Sequence, residues 1–340
     1  MADLLVTNYN PNYTGVSATA ANVIRTQTGR YDLRLVGHPL PGCPSPISKR
    51  EAAQQSRGGP EGKPFAIWHV RRNPEMRHAI WLRDIVKLPI KIVFTSAAQR
   101  LHSAYPRWLI SRMDAVVATT EKAARFVPNV RAIVPHGVDT TLFSPAHDRH
   151  AAWQGLGYGG THGIATIGRI RPEKGTDEFV QAMLRLLPQR PGAVALVVGR
   201  AGGKHESFLK ELKNEVRAAG LAERLLFVGE VPPRDLPQLM RALSLVVQLP
   251  RYEGYGMAPL EGLASGVPFV GTDAGYYRQF SSDGQVGTIV PDATTAAEAA
   301  MALLSRGDLV VDTTNIAKTR FSAQSEADGI DAVYQSLWAG

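Results

Sequence analysis

The chain has 340 residues, a formal net charge of +8 and one cysteine, Cys43. That length suits two domains better than one core, the lone cysteine excludes a disulfide framework or a thiolate metal cluster, and no apolar run reaches a membrane-spanning length. Charge is unevenly placed: residues 1–150 carry 20 Lys/Arg against 10 Asp/Glu, net +10, while residues 151–340 carry 18 against 20, net −2.

DLLVTN (3–8) reads as a strand. The next segment turns at Gly15 and becomes helical, with Gly29 as its stop. YDLRLVGH is a second strand, and residues 39–63, rich in Pro, Gly, Ser and charge, read as an exposed loop. PFAIWHV is a third strand, after which Asn73 caps and Pro74 opens a helix, EMRHAIWLRDIVK. IKIVFTS, an amphipathic stretch, DAVVAT and RAIVPHG continue the alternation. Residues 136–163 interrupt it with glycines and polar residues that suit an inter-domain linker.

The pattern then restarts. GIATIGR is a strand, and Gly175 and Thr176 lead into a helix whose Phe179, Met183 and Leu186 share one face. Asp177 and Glu178 fall in its first turn, where the helix dipole favours acids. AVALVVG, LLFVGEV, LSLVVQLP and PFVGTD are further strands, separated by the helices ESFLKELKNEVRAA, ended by Gly220, and DLPQLMRAL. The expected fold is α/β: two doubly wound domains with parallel sheets, facing each other across a deep cleft.

Residues 251–273, RYEGYGMAPLEGLASGVPFVGTD, carry Glu253 and Glu261 around Gly254 and Gly256, ahead of a helix. Glycines let backbone approach a ligand, a helix N-terminus favours an anion, and carboxylates accept from hydroxyls. Phosphate on the backbone and hydroxyls on the acids describe a nucleotide sugar; the bland alternative is a loop with two solvated acids. GRAGGKHE (199–206) lacks the spacing and the Ser/Thr of a P-loop, and GLGYGG (155–160) precedes a strand instead of joining a strand to a helix. IGRIRPEKGTDEF (167–179) is the better phosphate candidate, because Arg169 and Lys174 stand between a strand's end and a helix start.

GRIRPEKG followed by EGYGMAPLEGLASGVPFV resembles the C-terminal domain of family 4 retaining glycosyltransferases, which have the GT-B fold of two Rossmann-like domains. PHGVDTTLF (135–143) is similar to the segment ending their first domain, and RFSAQSEADGIDAVYQSL (320–337) resembles their closing helix. WHVRRNPEMRHAIWLRD and the Tyr-rich tail resemble, more narrowly, bacterial lipopolysaccharide-core mannosyltransferases. The resemblance implies an acceptor-side domain over 1–144, with a helix at about 325–340 packing back on it, and a donor-binding domain over 145–324.

It also implies roles. Arg169 and Lys174 would hold the donor diphosphate and stabilise the leaving group, Glu253 would bind hydroxyls of the transferred sugar, and Glu261 the ribose. The backbone at Gly254, Tyr255, Gly256, Met257 and Ala258 would follow sugar and phosphates, with Gly229, Glu230 and Val231 beside the base. Gly15 would let the first-domain loop approach the phosphates, although TGV offers one glycine where many relatives have a pair. His69 stands where many relatives place a histidine near the sugar; from its strand alone it is equally a satisfied structural histidine. Arg71 and Arg72 face an anionic acceptor or are solvated surface charge.

The implied reaction transfers a hexose, mannose from GDP-mannose, to a lipopolysaccharide-core or related glycolipid acceptor, with no metal and no other cofactor. Alternatives are a UDP-hexose donor such as UDP-glucose, or a non-catalytic sugar-nucleotide binder. The basic first half suits an anionic glycolipid and peripheral contact with an anionic membrane; no nucleic-acid signature accompanies the charge. The N-terminal MADLLVTNYN lacks the regions of a signal peptide, so the expected location is cytoplasmic, on the inner face of the inner membrane.

Overall fold

All the strand pairs among the described residues are parallel, as apolar runs covered on both faces require. The structure is a computed structural model, and it describes residues 1–306 and 310–340. It divides into two compact domains, Met1–Gly137 with Phe321–Gly340, and Val138–Arg320. The sequence boundaries of 144 and 324 lie a few residues further along each crossing.

The first domain runs β1 (Leu4–Asn8), α1 (Gly15–Gln27), β2 (Leu33–Gly37), α2 (Lys49–Gln55), β3 (Ala66–Val70), α3 (Asn73–Asp84), β4 (Ile90–Ser96), α4 (Ala104–Ser111), β5 (Ala115–Ala118), α5 (Glu121–Ala124) and β6 (Val130–Ile133). The second runs α6 (Arg149–Gly155), β7 (His162–Ile167), α7 (Thr176–Leu186), β8 (Ala193–Val198), α8 (Glu206–Ala218), β9 (Leu225–Gly229), α9 (Leu236–Ala242), β10 (Leu245–Gln248), α10 (Met257–Ala264), β11 (Phe269–Gly271), α11 (Tyr277–Ser281), β12 (Gly287–Ile289), α12 (Ala293–Ser305) and α13 (Val310–Arg320). A closing helix, α14 (Ala323–Trp338), belongs to the first domain. Strand orders are β2-β1-β3-β4-β5-β6 and β12-β11-β10-β7-β8-β9. Each domain is doubly wound, and the fold is GT-B.

Neighbouring residues on a strand point to opposite faces, and in the first sheet both faces are dry. Leu5 and Trp68 join one core cluster. Leu4, Val6 and Ile67 join another, closed by Ile330, Val333 and Tyr334 of α14. Glu326 anchors that helix: its carboxylate takes His136 Nδ1 at 2.7 Å and the Gly137 N–H at 2.8 Å. The chain therefore leaves this domain beside the point where it returns.

Three local expectations need correction. Residues 39–63 are not all loop, because Ser48 Oγ accepts the Glu51 N–H at 3.1 Å and caps α2; the Ser-x-x-Glu signature was legible in SKRE. Residues 136–163 contain α6, capped by Asp148, whose Trp153 is buried in the second domain. Asn73 is the first residue of α3, not its cap. Buried Glu75 does that work, accepting the N–H groups of Arg71 at 2.8 Å, Arg72 at 3.1 Å and Tyr9 at 3.0 Å.

Candidate functional site

The second sheet reverses its strand order between β7 and β10, which pair side by side. Loops leaving their carboxyl ends emerge together, where open α/β sheets bind ligands. Arg169 and Lys174 follow β7, and the segment from Glu253 to Glu261 follows β10.

Lys174 ends a short 3-10 turn, and Gly175 then starts α7 with φ +66°. A Cβ at 175 would lie 1.7 Å from the Leu249 carbonyl oxygen, so only glycine lets this turn press on the end of β10. That approach brings the Lys174 ammonium to the Glu253 carboxylate, Nζ to Oε2 at 2.5 Å. The other Glu253 oxygen accepts the Gly254 N–H at 2.9 Å. A second tie was not foreseen: Arg251 donates to Asp177 at 2.8 and 2.7 Å, to Glu178 at 2.9 Å and to the Pro172 carbonyl at 2.6 Å. The two acids read only as dipole partners also latch the two loops together.

Arg169 is exposed, and its guanidinium makes no hydrogen bond or ion pair among the described residues. Gly256 has φ +92°, and a Cβ there would sit 2.1 Å from the Tyr277 ring. Tyr277 is buried, and its hydroxyl is held above the ordinary phenol value by burial first and by Glu253 second. Tyr255 stacks on Tyr276 with ring centroids 5.3 Å apart and meets Phe280 edge-on at 5.4 Å. This aromatic bed fixes the loop from behind. The N-terminus of α10, with half-buried Met257 and Ala258, has no side-chain cap, which leaves N–H groups pointing out of the helix.

Glu261 lies further along α10, 8% exposed, with its carboxyl pushed up to about 7 by burial. No described side chain or N–H donates to it. A buried carboxyl without a donor is suited to take hydroxyls from a ligand. Gly229, Glu230 and Val231 leave the outer strand β9 at the same sheet edge. Glu230 is exposed and faces Arg200 at 3.5 Å.

The first domain carries the remaining candidates. Gly15 is the exposed first residue of α1. A Cβ there would meet nothing within 4 Å, so packing does not demand glycine. His69 is wholly buried: Nε2 meets Thr95 Oγ1 at 2.6 Å and Nδ1 meets the Tyr334 hydroxyl. Burial, then Arg71 and His136, lower its pKa well below the usual imidazole value. The neutral ring, with both nitrogens engaged, pins α14 to the sheet.

Arg72 is engaged as well. Its guanidinium donates to Asn8 at 3.1 Å, Glu75 at 3.2 Å, Thr14 at 3.2 Å and Ser17 at 2.9 Å, tying the β1 loop to α1 and α3. Arg71 is the opposite case. It is 7% exposed, and none of its three guanidinium nitrogens has a partner among the described residues. Burial lowers its pKa, against the pull of Tyr334, Glu326 and Glu75. A buried charge without a partner costs on the order of 3–5 kcal/mol, and a guanidinium offers five N–H donors to an anion. Nothing in the sequence separated these two neighbouring arginines. Among the described residues, no group of three or more His, Cys, Asp or Glu could hold a metal ion.

Comparison with known proteins matches residues 156–320 to the model for glycosyl transferases group 1. The chain is 39% identical over 345 residues, 98% of it and 97% of the relative, to a Rhizobium meliloti protein named lipopolysaccharide core biosynthesis mannosyltransferase LpsB. It is 37% identical over 343 residues, 98% of it and 96% of the relative, to Rhizobium leguminosarum bv. viciae LpcC, which carries the same description. Its structure superposes on Anabaena Alr3699/HepE, solved with UDP and glucose, with a TM-score of 0.83, 16% identity and coverage of 99% and 100% of the two chains.

Proposed function

The chain belongs to the group 1 glycosyltransferases, and on that premise we propose that it transfers mannose from GDP-mannose to a lipopolysaccharide-core acceptor, retaining the anomeric configuration. One observation supports the donor half of this reading: Lys174 and Glu253 meet beyond the carboxyl ends of β7 and β10, on the two segments that also carry Arg169 and Glu261. The descriptions of the two full-length relatives support the choice of mannose and of the core acceptor.

In the resting protein Lys174 and Glu253 neutralise each other. A bound nucleotide sugar offers each a better partner, diphosphate for the ammonium and sugar hydroxyls for the carboxylate. The bond from the anomeric carbon to phosphate oxygen breaks, and negative charge grows on the diphosphate. Arg169, Lys174 and the N–H groups of α10 stabilise that charge, which is the main electrostatic task of such a site. The acceptor hydroxyl bonds to the anomeric carbon on the face the diphosphate leaves, and its proton passes to the departing phosphate oxygen. Glu253 orients the sugar, and Glu261 accepts from the ribose. The backbone of Gly254, Tyr255 and Gly256 follows the donor, and Gly229 to Val231 lie by the base. No step is assigned to a metal.

Arg71 is the proposed anion recogniser for the acceptor, since its donors are unsatisfied. No helix among the described residues is long and apolar enough to cross a membrane, and we assign the protein peripherally to the cytoplasmic face of the inner membrane. The second reading is a UDP-hexose donor, favoured by the ligands of the Anabaena neighbour. Thermal-shift and turnover measurements against a panel of GDP- and UDP-sugars decide between them. A selective GDP-mannose response supports the first; a UDP-glucose response with none to GDP-mannose replaces it.

A further inference from the structure

We propose that the outer face of α3 and α4 docks the first domain on an anionic lipid bilayer. The two helices pack on one another, and Arg112 of the α4 end reaches Asp84 of the α3 end at 2.8 Å. Helix α4 is divided by side: Leu109 and Ile110 enter the core, whereas Tyr105 is 50% and Trp108 54% exposed. Those two rings stack on each other, 6.3 Å apart and 18° from parallel. Leu101, just before the helix, is 62% exposed. On α3 and just beyond it, Trp81 is 51% and Ile85 69% exposed. Single exposed apolar residues need no explanation, but a cluster rich in aromatic rings does.

The charges left unpaired on the two helices are basic. Asp84 and Asp114 are already engaged, Asp84 by Arg83 and Arg112, Asp114 by Arg83 and Lys91. Arg77 of α3, Lys87 just beyond it and Arg107 of α4 remain exposed. Arg107 and Trp108 also line an open groove of about 400 Å³ with Phe126 of the following segment.

Trp and Tyr with an apolar body and a polar tip, ringed by Lys and Arg, match the boundary between acyl chains and anionic headgroups. A second copy of the chain would instead set cations against cations, because a two-fold contact presents the same patch twice. The surface is complementary to lipid phosphate and not to itself. This goes with the glycolipid acceptor proposed above, yet it is measurable without donor or acceptor, so the two can fail separately.

The test is co-sedimentation of the full chain with phosphatidylcholine vesicles, with and without phosphatidylglycerol, at low and high salt. The expected result is binding only to the anionic vesicles, weakened by salt. Loss of binding is expected in a Tyr105→Ser/Trp108→Ser variant. Arg107→Glu should reduce partitioning by at least about fivefold, since each basic residue at an anionic surface contributes roughly that factor. Both variants should keep the wild-type melting curve and nucleotide-sugar thermal shift. Absence of binding to anionic vesicles, or undiminished binding by the double variant, overturns the proposal. So does a concentration-dependent dimer that these same substitutions dissolve, because the face would then belong to a second copy.

Discussion

The ammonium of Lys174 and the carboxylate of Glu253 meet at 2.5 Å although 79 positions separate them in the chain. Adjacent parallel strands make that meeting possible, and the glycine after Lys174 makes it close. Each member holds the other in place until a ligand divides them. The site is therefore organised, and nearly neutral at its centre, before donor arrives.

Lys174→Ala should lower turnover on the order of 100-fold or more, as loss of a charge-stabilising donor does. Glu253→Gln keeps the shape but removes the acceptor charge, and should impair transfer while leaving binding of the free nucleoside diphosphate intact. Initial rates and nucleotide titration check both. Wild-type turnover in Lys174→Ala would remove Lys174 from the reaction.

Glycines 15 and 175 should behave oppositely. Gly175→Ala meets the Leu249 carbonyl at 1.7 Å and carries a left-handed φ, so it should destabilise the second domain by at least about 2 kcal/mol. Gly15→Ala has open space around it and should change stability by no more than about 0.5 kcal/mol. Weakened donor binding in a normally melting Gly15→Ala variant would assign that space to the ligand. Unchanged binding would remove Gly15 from the phosphate contacts.

Glu261 predicts a pH dependence. Its carboxyl stands at about 7 against an ordinary 4.5, raised by burial, so the fold favours the protonated form. Its contribution to stability should fall as pH rises from about 4.5 to about 7 and level off above. Hydroxyls donate better to the ionised acid, so donor affinity should rise through about pH 7. Glu261→Gln should flatten both profiles. Calorimetry and nucleotide-sugar titration from pH 5 to 9 read them, and an unchanged affinity profile in the variant would exclude this role.

Arg71 and Arg72 should part company on substitution. Arg71→Met removes a buried cation with no partner among the described residues, so the fold should keep or gain stability while the KM for the acceptor rises. Arg72→Met breaks four hydrogen bonds and should lower the melting temperature. Saturation with acceptor that is indifferent to Arg71→Met would show its donors serve something else.

Much of the fold was legible, because strands buried on both faces read as short apolar runs whatever lies around them. The donor motif was legible for a related reason: its glycines and acids fall within two short segments, 167–179 and 251–261, each a loop running into a helix. What stayed hidden depends on distant partners. His69 looked available until Thr95 and Tyr334, 26 and 265 positions away, took its nitrogens. Arg71 and Arg72 are indistinguishable as letters and differ only in what surrounds them. The α2 cap in SKRE was a plain local signal, overlooked because the composition around it suggested a loop. Trp153 is different: only burial against Gly163 reveals that α6 belongs to the second domain.

The bond from Glu326 to His136 and Gly137 also orders events in time. A ribosome delivers residues 138–320 as one uninterrupted length, so the second domain can assemble while its host still lacks α14. Until that helix emerges, Leu4, Val6 and Ile67 have no lid over part of their side of the sheet. The half made first is the half finished last, and during synthesis the uncovered part of its sheet is the surface a chaperone would meet.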